Sequence, residues 1–145
     1  MSKISVVFWS QTGNTAAMAG AIAQGITEAG KEAEFVDVSQ VSIEQLKEEN
    51  VFALGCPAMG AEVLEEAEME PFVEEVETFV KGKNVALFGS YGWGDGEWMR
   101  DWETRMSTAG ASLVNGEGLI CHEMPDEDML SQCKELGKQL AALQK

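Results

Sequence analysis

The chain has 145 residues, of which 45% are apolar and 24% charged, and its formal net charge is −15. This length suits one domain with a single hydrophobic core, which we expect to span residues 1–145. The acidic balance argues against binding to nucleic acids or anionic membrane surfaces, and no apolar run approaches the roughly 20 residues of a membrane-spanning helix.

The N-terminus and the cysteines predict a cytoplasmic location. Met1-Ser2-Lys3 leads into an apolar run that is too short for a secretion signal. Cys56, Cys121 and Cys133 form no C-x-x-C pair, and we expect them to be buried free thiols. With one histidine, His122, and no clustered thiols, the sequence offers little from which to build a metal site, and we predict none.

Apolar runs that alternate with helical patterns predict the fold class. The five predicted strands are Ile4–Trp9, Ala33–Val38, Val51–Gly55, Val85–Gly89 and Ser112–Cys121, the last interrupted at residues 115–118. Between the strands, apolar residues recur at helical spacing, as at Met18, Ile22 and Ile26. Because runs such as "VVF" and "VALF" are apolar on both faces, they are typical of a parallel sheet covered on both sides. The sequence therefore predicts a three-layer α/β/α sandwich with a five-stranded parallel sheet.

Polar or glycine-rich segments follow three of these strands. They are "SQTGNT" at residues 10–15, "CPAMGAE" at residues 56–62 and "SYGWGDG" at residues 90–96. In an open parallel sheet, ligands bind beyond the carboxyl ends of the strands. We therefore expect the three loops to surround one site.

The first of these loops has the chemistry of a phosphate cradle. It combines hydroxyl and amide side chains with Gly13, and it precedes a predicted helix whose first N–H groups would attract an anion. The loop lacks the lysine of a P-loop and the three glycines of the dinucleotide fingerprint, which argues against nucleotide hydrolysis and Rossmann-type NAD binding. Taken alone, the loop could equally be a Ser/Thr-rich helix cap without a ligand.

The other two loops suit a flat, hydrogen-bonding ring. Trp93 is the best candidate for stacking, because an indole on a glycine-rich turn is costly to leave in water. Met59 offers a polarizable surface for an aromatic ring, and Glu62 could accept a hydrogen bond from a ring N–H. Three other aromatic residues are interpreted as core residues: Tyr91, Trp98 and Trp102.

The segments "SQTGNT", "GCPAMGAEVLEE" and "ALFGSYGWGDGEWMRDWE", in this order and spacing, resemble the flavodoxin family in its short-chain, anaerobe-associated form. The resemblance covers essentially the whole chain. It implies a flavodoxin-like fold with strand order 2-1-3-4-5 and non-covalently bound FMN. It also implies a low-potential one-electron carrier, shuttling mainly between semiquinone and hydroquinone, that is not an enzyme and has no catalytic residue.

The resemblance assigns roles position by position. Residues 10–15 would hold the FMN phosphate, and Met59 and Trp93 would cover the two faces of the flavin. The Gly60 carbonyl would turn on reduction to accept a hydrogen bond from flavin N5–H, and Glu62 would accept one from N3–H. The predicted cofactor-binding residues are Ser10, Gln11, Thr12, Gly13, Asn14, Thr15, Pro57, Ala58, Met59, Gly60, Ala61, Glu62, Ser90, Tyr91, Gly92, Trp93 and Gly94.

Acidic residues cluster around this predicted site. The cluster consists of Glu62, Glu65, Glu66, Glu68, Glu70, Asp95 and Glu97. A carboxylate about 10 Å from the flavin would oppose an added electron by roughly 0.4–0.8 kcal/mol, or about 20–35 mV. The same face would attract redox enzymes with basic surfaces, to which we expect the chain to bind as a monomer.

Two other functions are considered. An FMN-dependent NAD(P)H:quinone reductase-like enzyme could use the same fold, but it would need a substrate pocket over the flavin, and Trp93 would block one face. Direct oxidation of NADPH would distinguish that enzyme from a carrier, which requires a separate reductase. A cofactor-free interaction domain is disfavoured because three separate loops carry matching ligand chemistry.

Overall fold

The computed structural model describes residues 3–144, so Met1, Ser2 and Lys145 lie outside the described residues. Strands and helices alternate along the chain. The strands are β1 (Lys3–Phe8), β2 (Glu32–Asp37), β3 (Val51–Gly55), β4 (Asn84–Tyr91), β5 (Ser112–Leu113) and β6 (Leu119–His122). The helices are α1 (Asn14–Glu28), α2 (Ile43–Glu48), α3 (Met69–Glu77), α4 (Glu97–Thr108) and α5 (Glu127–Leu143). Short 3₁₀ turns occupy Val38–Gln40 and Val114–Gly116.

All strand pairs of the sheet are parallel, and the order is β2-β1-β3-β4-β5, with β6 also paired to β4. The predicted order 2-1-3-4-5 is thereby confirmed. The fifth predicted strand is divided in two: β5 pairs with the start of β4, and β6 pairs with its end. A 3₁₀ turn separates the two segments, and Asn115 within it adopts a positive φ of 65°.

Pairing with β6 also lengthens β4. Ser90 pairs with Cys121 and Tyr91 with His122, so Ser90 and Tyr91 are the last residues of β4. The prediction that this strand ends at Gly89 was therefore wrong by two residues. The error matters for function, because the backbone at residues 90 and 91 is held by the sheet.

Side chains alternate between two hydrophobic cores on the two faces of the sheet. Val6, Ala53 and Ala86 face α1 and α5, whereas their neighbours Val7 and Leu87 face the core that includes α3 and α4. Strands covered on both faces must be apolar throughout, which explains the continuous hydrophobic runs. The predicted three-layer α/β/α arrangement is confirmed.

Two glycines allow α1 and α5 to pack closely. A Cβ atom at Gly25 would lie 2.1 Å from the Lys134 carbonyl oxygen, and one at Gly137 would lie 2.1 Å from the Ile22 carbonyl oxygen. No other residue fits at either contact without separating the helices. Between residues 3 and 144, every helix is too short or too polar to cross a membrane.

Candidate functional site

The loops that follow β1, β3 and β4 meet at the carboxyl edge of the sheet, as the sequence predicts. They enclose a cavity of about 260 Å³. Its walls are formed by Gln11, Thr12, Asn14, Pro57, Ala58, Met59, Ser90, Tyr91, Gly92 and Glu123. Nine of these ten residues belong to the predicted binding set, and the tenth is Glu123. The structure therefore brings residues from all three loops to one cavity.

The first loop turns into α1 with its backbone N–H groups directed at its own hydroxyl. Ser10 Oγ accepts hydrogen bonds from the N–H groups of Gly13 (3.2 Å) and Ala16 (3.3 Å). Gly13 adopts a φ of 97°, which favours glycine, and α1 begins at the next residue. The first turn of α1 carries no acidic side chain, so nothing there offsets the partial positive charge of the helix N-terminus. Ser10 and Gly13 shape the loop rather than line the cavity.

Thr15 is buried beneath the same loop. Its Oγ1 lies 2.9 Å from Ser90 Oγ and accepts a hydrogen bond of 3.3 Å from the Ser90 N–H. Only 1% of Thr15 and 5% of Ser90 are exposed. The structure therefore uses Thr15 to fix the first loop to the end of β4.

The second loop is a tight turn. The backbones of Met59 and Val63 exchange two hydrogen bonds of 2.9 Å, and Gly60 and Glu62 adopt positive φ values of 46° and 58°. Gly60 and Ala61 are exposed at its tip. The turn projects at the edge of the cavity, and Met59 at its base contributes to the wall.

Glu62 points to a neighbouring helix rather than into the cavity. Its Oε1 accepts a 3.0 Å hydrogen bond from the Glu97 N–H, the first amide of α4. A carboxylate at a helix N-terminus satisfies an otherwise unpaired donor and interacts favourably with the helix dipole. The structure thus gives Glu62 a capping contact that sequence reasoning missed, because the two residues are 35 positions apart.

Cys56 and Ala58, at the start of the second loop, connect this loop to the core and to β4. The Cys56 carbonyl accepts a 3.0 Å hydrogen bond from Trp98 Nε1, and Ala58 N–H donates to the Ser90 carbonyl at 3.0 Å. Burial raises the pKa of the Cys56 thiol to about 12, so the thiol is protonated at neutral pH. All three cysteines are free and buried, as predicted.

The third loop separates exposed from buried aromatic residues. Trp93 is 65% exposed, whereas Trp98 and Trp102 are each 1% exposed in the core, as predicted. Tyr91 contacts the core and also lines the cavity: its ring centroid is 5.6 Å from that of Trp98. Gly94 lies against Glu62, since a Cβ at Gly94 would be 2.6 Å from the Glu62 carboxyl carbon.

A fourth loop, after β6, also reaches the cavity. Glu123 lines it, and the Glu123 N–H donates a 2.8 Å hydrogen bond to the Tyr91 carbonyl. His122 Nε2 lies 3.3 Å from the Gly92 carbonyl oxygen. No role was expected for these residues from the sequence. Their position at the carboxyl end of a parallel strand was the signal that could have identified them.

The acidic cluster is partly neutralised. Arg105 pairs with Glu70 at 2.9 Å and with Glu77 at 3.0 Å, and Arg100 pairs with Asp95 at 3.0 Å. The negative field of the cluster is therefore weaker than seven unpaired carboxylates would produce. Oxygen atoms of three of its members, Glu62, Asp95 and Glu97, nevertheless lie within 4.8 Å of one another.

Glu65, another member of the acidic cluster, has a structural role at the start of α3. Partial burial opposes its ionisation, but the N–H groups of Ala67, Glu68 and Met69 all donate to its carboxylate and together lower its pKa. The carboxylate thus supplies the acceptors that the first turn of α3 requires.

A larger groove of about 480 Å³ lies between α1 and α5. Ala17, Ala21, Leu130 and Lys134 contribute to its walls. It lies on a helix surface, whereas the smaller cavity combines polar loop groups, a helix N-terminus and apolar walls at the strand ends. The smaller cavity therefore has the chemistry to hold a phosphorylated planar ligand.

Comparisons with known proteins agree with this chemistry. The family model described as flavodoxin matches residues 6–137. The flavodoxin of Clostridium beijerinckii is 53% identical over 138 residues, which cover 95% of this chain and 99% of the relative. The flavodoxin of Megasphaera elsdenii is 44% identical over 138 residues, covering 95% and 98%. The solution structure of two-electron reduced Megasphaera elsdenii flavodoxin superposes with a TM-score of 0.87 at 42% identity and covers 96% of this chain and 98% of that one.

The donor set of the cavity fits FMN, with hydroxyl and amide groups and a helix N-terminus for the phosphate and apolar walls for the ring. The comparisons do not favour a quinone reductase. Because the family model and both relatives match almost the whole chain, the protein belongs to the flavodoxin family and is an FMN-binding electron-transfer protein rather than an enzyme.

Proposed function

We propose that this chain is a low-potential one-electron carrier whose FMN lies in the cavity formed by the loops after β1, β3 and β4. The convergence of a phosphate-type loop with the apolar side chains of Met59 and Tyr91 on one cavity carries this proposal. When bound, FMN supplies the redox chemistry, and the protein supplies binding, orientation and electrostatics.

The first loop would hold the phosphate without any basic side chain. Gln11, Thr12 and Asn14 line the cavity and offer hydrogen-bonding groups. The N-terminus of α1 adds unpaired N–H groups and partial positive charge. Ser10, whose hydroxyl already contacts the Gly13 and Ala16 amides, holds this loop in shape.

The second and third loops would hold the ring. Met59 lies in the cavity wall, and the exposed Trp93 directly follows Gly92, which also lines the cavity. These positions support the assignment of the two side chains to opposite flavin faces. Gly60 already occupies a left-handed backbone conformation, which suits a carbonyl that changes direction. Glu62 could accept a flavin N–H only by giving up or sharing its bond to the Glu97 amide.

Carboxylates around the cavity would make the second electron harder to add. Glu123 lines the cavity, and Glu62 and Glu97 belong to the loop after β3 and the start of α4, whereas Glu70 and Asp95 are paired with arginines. Each unpaired carboxylate at about 10 Å contributes on the order of 20–35 mV before salt screening.

We further propose basic-surfaced redox enzymes as partners, a monomeric state and a cytoplasmic location. The net charge of −15 supports attraction to basic surfaces. Three free, buried thiols support a reducing compartment. Association with a basic redox enzyme should weaken as salt is raised, and sedimentation should report the mass of one chain, 15.7 kDa.

The deciding experiment is FMN binding followed by anaerobic reductive titration. The purified protein should bind one FMN per chain and take up two electrons in separable steps, visible in the absorption spectrum. It should not oxidise NADPH without a reductase. Failure to bind FMN would overturn the proposal, and reduction in a single two-electron step with direct NADPH oxidation would favour the reductase-like alternative.

A further inference from the structure

The loop between β4 and α4 carries Trp93 among glycines. Gly92 and Gly94 flank the indole, and Gly96 directly precedes α4. Gly94 and Gly96 adopt φ values of 87° and 95°, which favour glycine. Glycine also loses more conformational entropy on ordering than any other residue. A tryptophan in such a segment therefore needs contacts with neighbouring elements to keep one position.

Arg100, on α4, makes such a contact with this loop. Its Nη1 donates a 3.0 Å hydrogen bond to the carbonyl oxygen of Asp95, and its Nη2 donates one of 3.0 Å to Oδ1 of the same residue. Within the described residues 3–144, hydrogen bonds to residues 93–95 come from Arg100 alone. The guanidinium thus fixes both the backbone and the side chain two positions after Trp93.

Arg100 also balances the negative charge around this loop. Oxygen atoms of Glu62, Asp95 and Glu97 lie within 4.8 Å of one another, and like charges at this distance repel. A Cβ at Gly94 would lie 2.6 Å from the Glu62 carboxyl carbon, so the loop backbone packs against one of these carboxylates. The hydrogen bond to Asp95 and the charges of the three carboxylates raise the pKa of Arg100. Its positive charge therefore offsets a repulsion that would move the loop away from Glu62.

We propose that Arg100 is a positioning residue that fixes the loop after β4 through Asp95 and thereby holds Trp93 in place to cover the flavin. This inference rests on the proposed placement of FMN in the cavity and of Trp93 on one flavin face. Ordering a loop at the moment of binding lowers affinity, whereas a loop that is already ordered avoids this loss. Arg100 therefore strengthens FMN binding although it is not among the residues that line the cavity.

The test compares wild type with Arg100→Lys. Lysine keeps the positive charge, but its ammonium group lacks the rigid fork that contacts two oxygens of Asp95 together. Arg105→Lys is the matched control, because Arg105 lies on the same helix and pairs with Glu70 and Glu77 of α3. FMN dissociation constants are measured by flavin fluorescence for both substitutions, and urea unfolding of each apoprotein measures its stability.

Arg100→Lys should raise the FMN dissociation constant about two- to fivefold, the size expected for one exposed ion pair. Its apoprotein stability should stay close to that of wild type, because the pair is exposed at the surface. The visible circular dichroism of the FMN-saturated protein should also change, because it depends on the orientation of the indole relative to the flavin. Arg105→Lys should leave both the FMN affinity and this spectrum unchanged.

A double-mutant cycle tests whether Arg100 acts through Trp93. In a Trp93→Ala background, Arg100→Lys should no longer change the dissociation constant, because the side chain that it positions is missing. An equal loss of affinity in both backgrounds would indicate a role independent of Trp93 and would overturn the inference.

The remaining outcomes also decide between the two proposals. Wild-type affinity and spectrum in Arg100→Lys, or wild-type affinity in Trp93→Ala, would overturn the inference while FMN binding itself still supports the proposed function. Absence of FMN binding by the wild-type protein would overturn both.

Discussion

The hydroxyls of Thr15 and Ser90 lie 2.9 Å apart although 75 residues separate them in the chain. Thr15 stands in the first turn of α1, and Ser90 is the penultimate residue of β4. This buried contact fixes the phosphate-type loop relative to the strand whose end forms another wall of the cavity. Two buried residues thus fix the positions of two walls of the cavity.

Replacing Thr15 with valine should loosen this connection. Thr15→Val preserves the shape of the side chain but leaves the Ser90 N–H without its acceptor in the interior, which costs about 1–3 kcal/mol of folding free energy. FMN binding should also weaken, because the first loop is no longer fixed to the end of β4. Denaturant unfolding of the apoprotein and fluorescence titration with FMN measure the two effects. Thr108→Val, at the exposed C-terminal end of α4, should change neither.

Trp93 and Trp102 should give opposite results when replaced by alanine. Trp93 is 65% exposed, so Trp93→Ala should leave apoprotein stability within about 0.5 kcal/mol of wild type. Loss of aromatic stacking worth about 1–3 kcal/mol should weaken FMN binding roughly 5- to 150-fold. Trp102, at 1% exposure, should lose about 3–5 kcal/mol of stability instead. Unchanged FMN affinity in Trp93→Ala would remove Trp93 from the proposed site.

Gly60 should influence the redox potentials through its backbone. Its φ is 46° and a Cβ would meet no atom within 4 Å, so Gly60→Ala adds conformational strain of about 1–2 kcal/mol without a clash. If the Gly60 carbonyl turns to the flavin at the one-electron-reduced level, the substitution should bring the two one-electron potentials closer together. The expected change in each is about 40–80 mV, measured by anaerobic spectroelectrochemistry.

Gly82 supplies the control for this experiment. It has a φ of 84° with no atom within 4 Å of its Cβ position, and it precedes β4 at the opposite end of the strand. Gly82→Ala should reduce stability to a similar extent and leave both potentials unchanged. A shift of both potentials in the same direction and by the same amount in Gly60→Ala would contradict a role for this carbonyl.

Glu49 should matter for stability at the end of the sheet remote from the cavity. It is 4% exposed, and it accepts hydrogen bonds from the Ser5 N–H (2.8 Å) and hydroxyl (2.7 Å) and from Gln45 Nε2 (3.0 Å). Glu49→Ala should cost about 2–4 kcal/mol, because it leaves buried donors unpaired. Glu48→Ala, at the exposed neighbouring position, should cost less than about 0.5 kcal/mol in the same urea titration.

The pH dependence of Glu49 has a definite sign. Burial, the largest cause, raises its pKa above the ordinary 4.5, although hydrogen bonds from Ser5 and Gln45 oppose the shift. The folded state therefore favours the protonated carboxyl, and the stability that Glu49 contributes falls as the pH rises from about 4.5 through the folded-state pKa. Relative to wild type, the free energy of unfolding of Glu49→Gln should be higher at pH 7 than at pH 4. The opposite trend in urea unfolding would contradict this assignment.

Local sequence determined the first three strands, the helical segments and the three principal loops of the site, whereas the end of β4 and the division of the last predicted strand into β5 and β6 depend on strand pairing. Apolar runs such as "VVF" and "VALF" can only be buried on both faces, and apolar residues at helical spacing must cover them. Ser, Thr, Gly and aromatic residues placed directly after such strands identify the ligand edge, because every parallel strand ends on the same side. These patterns involve only residues that are close in sequence, so they can be recognised without knowledge of the tertiary structure.

Only the tertiary structure decided which distant groups meet. The cap that Glu62 provides for Glu97, the pairing of Arg105 with Glu70 and Glu77, and the position of His122 between two loops all join residues from different elements or loops. Such contacts depend on the register of packed elements, and one residue of shift would replace one partner by another. The sequence therefore determined the fold and the cofactor class, whereas packing decided which carboxylates are free, which are paired and which lie at the cavity.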